Sequence, residues 1–195
     1  MLYPGSIASG EKNVLTVEDT DGKEGSQKGS GIYSSYSFWV FDKDTTSTNN
    51  RFLVARNKYS DKDLTTKDEE GNEIPSGVKQ EVSQQPSVYL DDSNRVVYQM
   101  IDTTASDPNA VKKFPSTYTV PKQEWTSIQI IQTVDDVSIY MNNRLDSVHT
   151  FTPIDNPDLI AKGRFVMFPK FSTSNDFNGL VSRFYYSNRS MTPTV

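Results

Sequence analysis

Trp125-Thr-Ser-Ile-Gln-Ile-Ile-Gln132, followed by Val137-Ser-Ile-Tyr-Met141 and then Asn142-Asn143, is the stretch whose pattern decides the fold. Ile128 and Ile130 sit two apart, as do Val137, Ile139 and Met141. In an extended chain successive side chains point to opposite faces, so each set lines one side of a strand. Asp135-Asp136 supplies a turn between the two strands. Asn142-Asn143 then occupies a two-residue hairpin position, where Asn tolerates the positive φ that a type I′ turn demands. Arg144 to Phe151 comes back as the partner strand.

The same pattern extends outward in both directions. Tyr33-Ser-Ser-Tyr-Ser-Phe-Trp-Val-Phe41 has the aromatic and β-branched content of a half-buried strand. Asp42 to Asn50 is a turn cluster, and Arg51 to Arg56 returns from it. Ser87 to Leu90 and Arg95 to Ile101 flank Asp91-Asp-Ser-Asn94 as a hairpin. Gly163 to Phe168 and Leu180 to Ser187 complete the set, with Phe177-Asn-Gly179 as a bulge or tight turn, and a short first strand lies at Asn13 to Val17. Residues 1–12 are rich in Gly, Ser and Pro and read as a tail or linker; 57–86 and 102–113 read as polar connections. About ten short strands without helical periodicity predict an all-β, two-sheet antiparallel sandwich over 13–191.

Composition narrows the function classes. With 195 residues and 34% hydrophobic content, a thin two-layer core is what the chain can fill. Net charge is -5 and no stretch concentrates Lys or Arg, which argues against nucleic acid as a partner. No apolar run approaches a membrane span. The opening Met-Leu-Tyr-Pro-Gly-Ser has neither the basic start nor the apolar run of a secretory signal. There are no cysteines, so disulfides, thiolate metal sites and a Cys nucleophile are excluded.

Trp125-Thr-Ser-Ile-Gln-Ile with Val137-Ser-Ile-Tyr-Met-Asn-Asn-Arg-Leu145 resembles the laminin-G-like pattern, in which a Trp opens a strand and a "lYvNG-x-l" hairpin follows. Phe177-Asn-Gly-Leu-Val-Ser-Arg-Phe-Tyr-Tyr-Ser-Asn-Arg-Ser-Met191 resembles the closing strand of that family, and Tyr36-Ser-Phe-Trp-Val40 an early one. The resemblance covers the second half of the chain well and the first half in places. It departs at the hairpin, Asn-Asn in place of Asn-Gly, and at the C-terminus, where Thr192-Pro-Thr-Val195 stands in place of a short helix. It implies a concanavalin A-like jelly roll. Pro121-Lys-Gln-Glu-Trp125 gives a looser resemblance to domains in capsid-associated proteins of large DNA viruses, which implies a virion or particle surface location, assembled in a host cytoplasm. An extracellular location, as part of a longer chain, is the alternative.

The candidate chemistry is sparse. A retaining glycosidase needs two carboxyl groups about 5–5.5 Å apart, which on one strand means an i, i+2 pair. Asp19 and Asp21 have that spacing but stand in a Gly-rich connection, and Asp68-Glu-Glu70 stands in a polar loop, so no catalytic residue is assigned and no enzyme is expected. His149 is the single histidine, on a strand, and reads as a satisfied or exposed side chain. The family resemblance raises calcium, with Asp42 and Asp44, or Asp91, Asp92 and Asn94, as candidate oxygen donors; ordinary turn chemistry accounts for the same residues. Tyr33, Tyr36, Tyr89, Tyr98 and Tyr140 are candidates for stacking on a sugar, and none of them stands out, so the carbohydrate site stays unplaced. Asn188-Arg-Ser190 is an N-glycosylation acceptor if the chain is exported. The expected function is a structural or binding module of a particle, a minor capsid or surface component that contacts other subunits of the assembly. The alternative is a lectin-like domain for attachment to glycans, and a glycoside hydrolase relative comes last.

Overall fold

The structure is a computed structural model and describes residues 2–8, 14–15, 34–44, 49–57, 65–67, 73–75, 86–102, 105, 110–152, 164–169 and 176–187. Two six-stranded sheets form the sandwich. The first runs β1 (Leu2–Ala8), β14 (Gly179–Ser187), β3 (Ser34–Asp42), β10 (Trp125–Gln132), β11 (Asp136–Met141), β12 (Arg144–Thr150). The second runs β2 (Val14–Leu15), β13 (Arg164–Met167), β4 (Arg51–Asn57), β7 (Ser87–Leu90), β8 (Arg95–Ile101), β9 (Val111–Thr119). Each of these neighbours pairs antiparallel. A separate ribbon joins β5 (Thr65–Lys67) to β6 (Glu73–Pro75).

The inner faces follow the alternation expected from sequence. Ile128, Ile130, Val137 and Ile139 are all 0% exposed. Tyr36, Phe38 and Val40 of β3 lie beside them, facing Leu53, Val88, Leu90, Val96 and Tyr98 of the second sheet. Rings span the gap: Tyr36 packs on Tyr98 at 5.8 Å between centroids, and Tyr98 on Phe114 at 6.3 Å. The Tyr98 hydroxyl also meets Gln132 Oε1, so a core aromatic keeps its polar tip satisfied. The Asn142-Asn143 hairpin has φ of 51° and 62°, both in the left-handed region, as a type I′ turn requires.

Three connections differ from expectation. Residues 2–8, expected as tail, form β1 on the free edge of β14. The register shifts between Tyr3 and Ser6, around Pro4-Gly5, because a proline has no N–H for the ladder and a bulge accommodates it. The stretch expected as polar connection up to Lys113 is already strand from Val111, with Pro115 inside it. Proline is tolerated there because β9 is the sheet's edge. The polar segment 57–86 contains the β5–β6 ribbon.

The two sheet edges β9 and β12 meet. Asp146, in the β12 bulge, accepts hydrogen bonds from the backbone N–H groups of Thr117 at 2.6 Å and Tyr118 at 2.9 Å. His149 Nε2 lies 2.8 Å from the Pro115 carbonyl, to which it can only donate, so the histidine is a satisfied strand residue. These contacts occupy groups that an open edge would offer to another chain.

Candidate functional site

With Phe38 and Val40 facing the core, the pleat puts Trp39 and Phe41 on the outer face of the first sheet. With Ile128 and Ile130 inward, Trp125 and Ser127 point outward as well. Both tryptophans of the chain therefore share one face, Trp39 at 37% exposure and Trp125 at 42%. Register sets their spacing. Trp39 opposes Ser127 on β10 and Ser182 on β14, and Trp125 opposes Phe41. The two indoles are thus diagonal neighbours across one strand pair, a separation of about 7–8 Å.

The neighbours leave the rings open. Ser127 and Ser182 on either side of Trp39 are too short to cover an indole. Trp125 stands at the start of β10, where β11 no longer reaches; it leans on Phe41, ring centroids 5.4 Å apart. Polar groups rim the pair. Asn142 accepts a hydrogen bond from the Ser127 N–H through its side chain (2.9 Å) and donates its own N–H back to the Ser127 carbonyl (2.8 Å), which holds the hairpin tip against the platform. On the outer row of the second sheet, by contrast, the described residues Tyr89 and Val97 are 2% and 4% exposed.

A buried ion pair lies beneath the platform. Arg51 and Asp42 are 1% and 0% exposed, and Arg51 Nη1 donates to both Asp42 oxygens at 2.8 and 2.9 Å. Arg51 Nη2 donates to Asn94 Oδ1, and Asn94 Nδ2 to the Val120 carbonyl at 2.5 Å. The Asp42 backbone carbonyl accepts from Gln123 at 2.8 Å, and Lys43 N–H donates to Asn178 at 2.9 Å. The end of β3 is thereby tied to the turn before Trp125 and to the turn before β14. Gly179 completes the junction: a Cβ there would meet the Phe41 carbonyl at 2.2 Å and the Phe177 ring at 2.5 Å.

The calcium candidates are placed, and their oxygens have other work. Asp42 and Asn94 come together, but through Arg51, and Asp44 Oδ2 stands 3.7 Å from the same guanidinium. Asp91 accepts from the N–H groups of Ser93 and Arg95 through one oxygen and from Arg95 Nε, at 2.9 Å, through the other. Asp92 is exposed and accepts from Ser93 Oγ. Among the described residues no three acidic or histidine side chains cluster as a metal site. Of the stacking candidates, Tyr36, Tyr89 and Tyr98 are buried and Tyr140 is half-buried. Burial, with the Asp91 carboxylate nearby, pushes the Tyr89 hydroxyl up to about 12. Tyr33, Asp19, Asp21, Asp68 to Glu70 and the Asn188 sequon lie outside the described residues.

Sequence reasoning passed over Trp39 and Trp125 because it used them as strand markers. The signal was present in their parity: each has the opposite phase to the apolar residues that face the core.

No protein-family model matches the chain, and no curated protein matches it in sequence. Solved structures do resemble it. The CBM40 of the Ruminococcus gnavus IT-sialidase, bound to alpha2,3 sialyllactose, superposes with a TM-score of 0.64 at 9% identity, covering 99% of this chain and 94% of that one. The receptor binding domain of botulinum neurotoxin C/D mosaic serotype gives a TM-score of 0.63 at 12% identity over 96% of this chain; the match spans 40% of the neurotoxin domain. That of botulinum neurotoxin D gives 0.60 at 11% identity, over 99% of this chain and 45% of that one. At such identities the likeness is one of fold: an all-β, two-sheet antiparallel jelly-roll sandwich.

Proposed function

We propose that this chain is a non-enzymatic, lectin-like module that takes an oligosaccharide onto the outer face of β3 and β10. The observation that carries the reading is the pair of open indoles, Trp39 and Trp125, on one face with serine and asparagine groups around them. The apolar face of a pyranose presents C–H groups to a π cloud, while its hydroxyls need donors and acceptors at the rim. A patch of exposed apolar surface rimmed by polar residues marks a recognition site. The comparisons support this choice: one structural neighbour holds sialyllactose and others are receptor binding domains. Such a module works on the surface of a particle or cell.

The magnitude is sufficient. A tryptophan ring buries about 150–250 Å² when covered. The open fractions of 37% and 42% leave ~60–100 Å² on each ring. At ~25 cal/mol per Å², covering one ring contributes ~1.5–2.5 kcal/mol, or ~10–70-fold in affinity. A glycan array identifies the ligand, and titration calorimetry then compares Trp39→Ala and Trp125→Ala with the parent. Each variant is expected to lose at least ~10-fold in affinity at a temperature where parent and variant are both folded. Equal binding by parent and both variants would overturn the reading.

A particle-subunit role is the second reading, favoured by one observation. Tyr118, Leu145 and Val148, exposed at 70%, 56% and 53%, stand on the β9 and β12 edges and suit contact with protein neighbours in an assembly. Co-purification with an assembly that survives Trp39→Ala and Trp125→Ala would favour it over glycan binding.

A further inference from the structure

The outer face of β3, β10 and β14 is free of carboxylates, although the chain carries 25 Asp and Glu against 20 Lys and Arg. Its outward positions, read from the pairing of the three strands, are aromatic, aliphatic, serine or glutamine. One cation stands among them. Arg183 is exposed, lies next to Ser182, which opposes Trp39, and makes no ion pair or hydrogen bond among the described residues.

Arg183 is also held in an unfavourable backbone conformation. Its φ is 52°, and the β14–β3 register shifts at this point, between Ser182 and Tyr185. A left-handed residue opening a bulge is ordinarily glycine, because a Cβ is disfavoured there. Bulges of this kind re-aim a side chain, and a strained non-glycine residue at one is a pointer to function. The row across the sheet reads Ser182, Trp39, Ser127, with Arg183 one residue beyond Ser182 in the bulge and the Asn142 amide bonded to the Ser127 N–H.

We propose that Arg183 binds the carboxylate of an acidic sugar whose ring stacks on Trp39, so that the site selects oligosaccharides ending in a carboxylated residue. The proposal rests on reading this face as a glycan platform and adds the charge of its ligand. A guanidinium offers two parallel N–H donors to a carboxylate, which a single ammonium cannot reproduce. A carbohydrate without charge gains nothing from it. Sialic and uronic acids share the chemistry, and contacts to the glycerol chain and acylamino group of the former separate them.

The test is calorimetry on the full chain with lactose, 3′-sialyllactose and a glucuronate-ended disaccharide, at low and high salt. At least one acidic ligand is expected to bind ~10-fold or more tighter than lactose, with the gap narrowing as salt rises. Arg183→Gln is expected to close the gap, and Arg183→Lys to recover part of it, both with Tm preserved. Arg183→Gly, which removes the left-handed penalty, is expected to raise Tm while losing the acidic ligand. If lactose and both acidic ligands bind equally and Arg183→Gln changes nothing, the carboxylate anchor is wrong and the platform stands. If no sugar binds, and Trp39→Ala is without effect on an array, the platform itself fails and the anchor with it.

Discussion

Replacing Asp42 by Asn puts the ion pair beneath the platform to the test. Arg51 is 1% exposed and Asp42 0%, so no water can take over from a lost partner. In the parent, Nη1 spans both carboxylate oxygens at 2.8 and 2.9 Å, while Arg51 Nε has no partner among the described residues. The guanidinium is therefore already under-satisfied, and Asp42→Asn removes the carboxylate bonded to it, leaving only Asp44 Oδ2 at 3.7 Å. Breaking one side of a buried pair costs about 3–5 kcal/mol, because the remaining charge loses its hydrogen-bonded partner. In a chain of this size 1 kcal/mol corresponds to roughly 2–4 °C, so Tm should fall by ~6–20 °C. Urea unfolding followed by tryptophan fluorescence measures the free energy directly, and completing the cycle with Arg51→Met and the double variant isolates the coupling. The double variant, with no stranded charge, should be more stable than either single one. The same experiment reads function, since the Asp42 carbonyl holds Gln123 two residues before Trp125. A loss below ~1 kcal/mol for Asp42→Asn would refute the claim that the pair is buried and mutually dependent.

Two further outcomes follow from the packing. Gly179→Ala should cost ~1–3 kcal/mol in urea unfolding, because its Cβ meets the Phe41 backbone and a packed Phe177 ring, neither of which is a flexible tip; a change under ~0.5 kcal/mol would contradict the close approach. Tyr89 should make the fold alkali-sensitive: its hydroxyl titrates at about 12 in the folded chain against 10.0 for the ordinary group. The neutral phenol is the form favoured by folding, so its contribution of ~2–3 kcal/mol is complete below pH 10 and disappears as pH rises from 10 to 12. Over that interval the parent should lose more stability than Tyr89→Phe, and parallel curves would count against it.

Much of the fold was readable because a sheet buried on one side writes itself as alternation. Ile128 to Met141 alternates, and Asn142-Asn143 carries the one backbone demand that a two-residue hairpin makes. β1 was not readable. Its pairing with β14 depends on an open sheet edge created about 180 residues further along the chain, and Pro4-Gly5 locally argues against a strand. The calcium candidates show the same limit from the other side. Asp42 in a turn cluster suits a cation, an Asx turn or an ion pair equally well; in the fold it accepts from the Asp44 N–H and also from Arg51, and the second partner comes from another strand that no local pattern announces.

By itself the amino-acid order determined the fold class, the core strands and the two-residue hairpin. It also held, in the parity of Trp39 and Trp125 against their apolar neighbours, the side of the sheet on which both indoles stand. Only the tertiary structure decided that the two share one open patch, that serines leave Trp39 uncovered, and that Arg183 stands beside it at a bulge. The reason is physical: alternation is a property of one strand, whereas spacing across strands is set by register, and register is a long-range pairing that no local pattern contains.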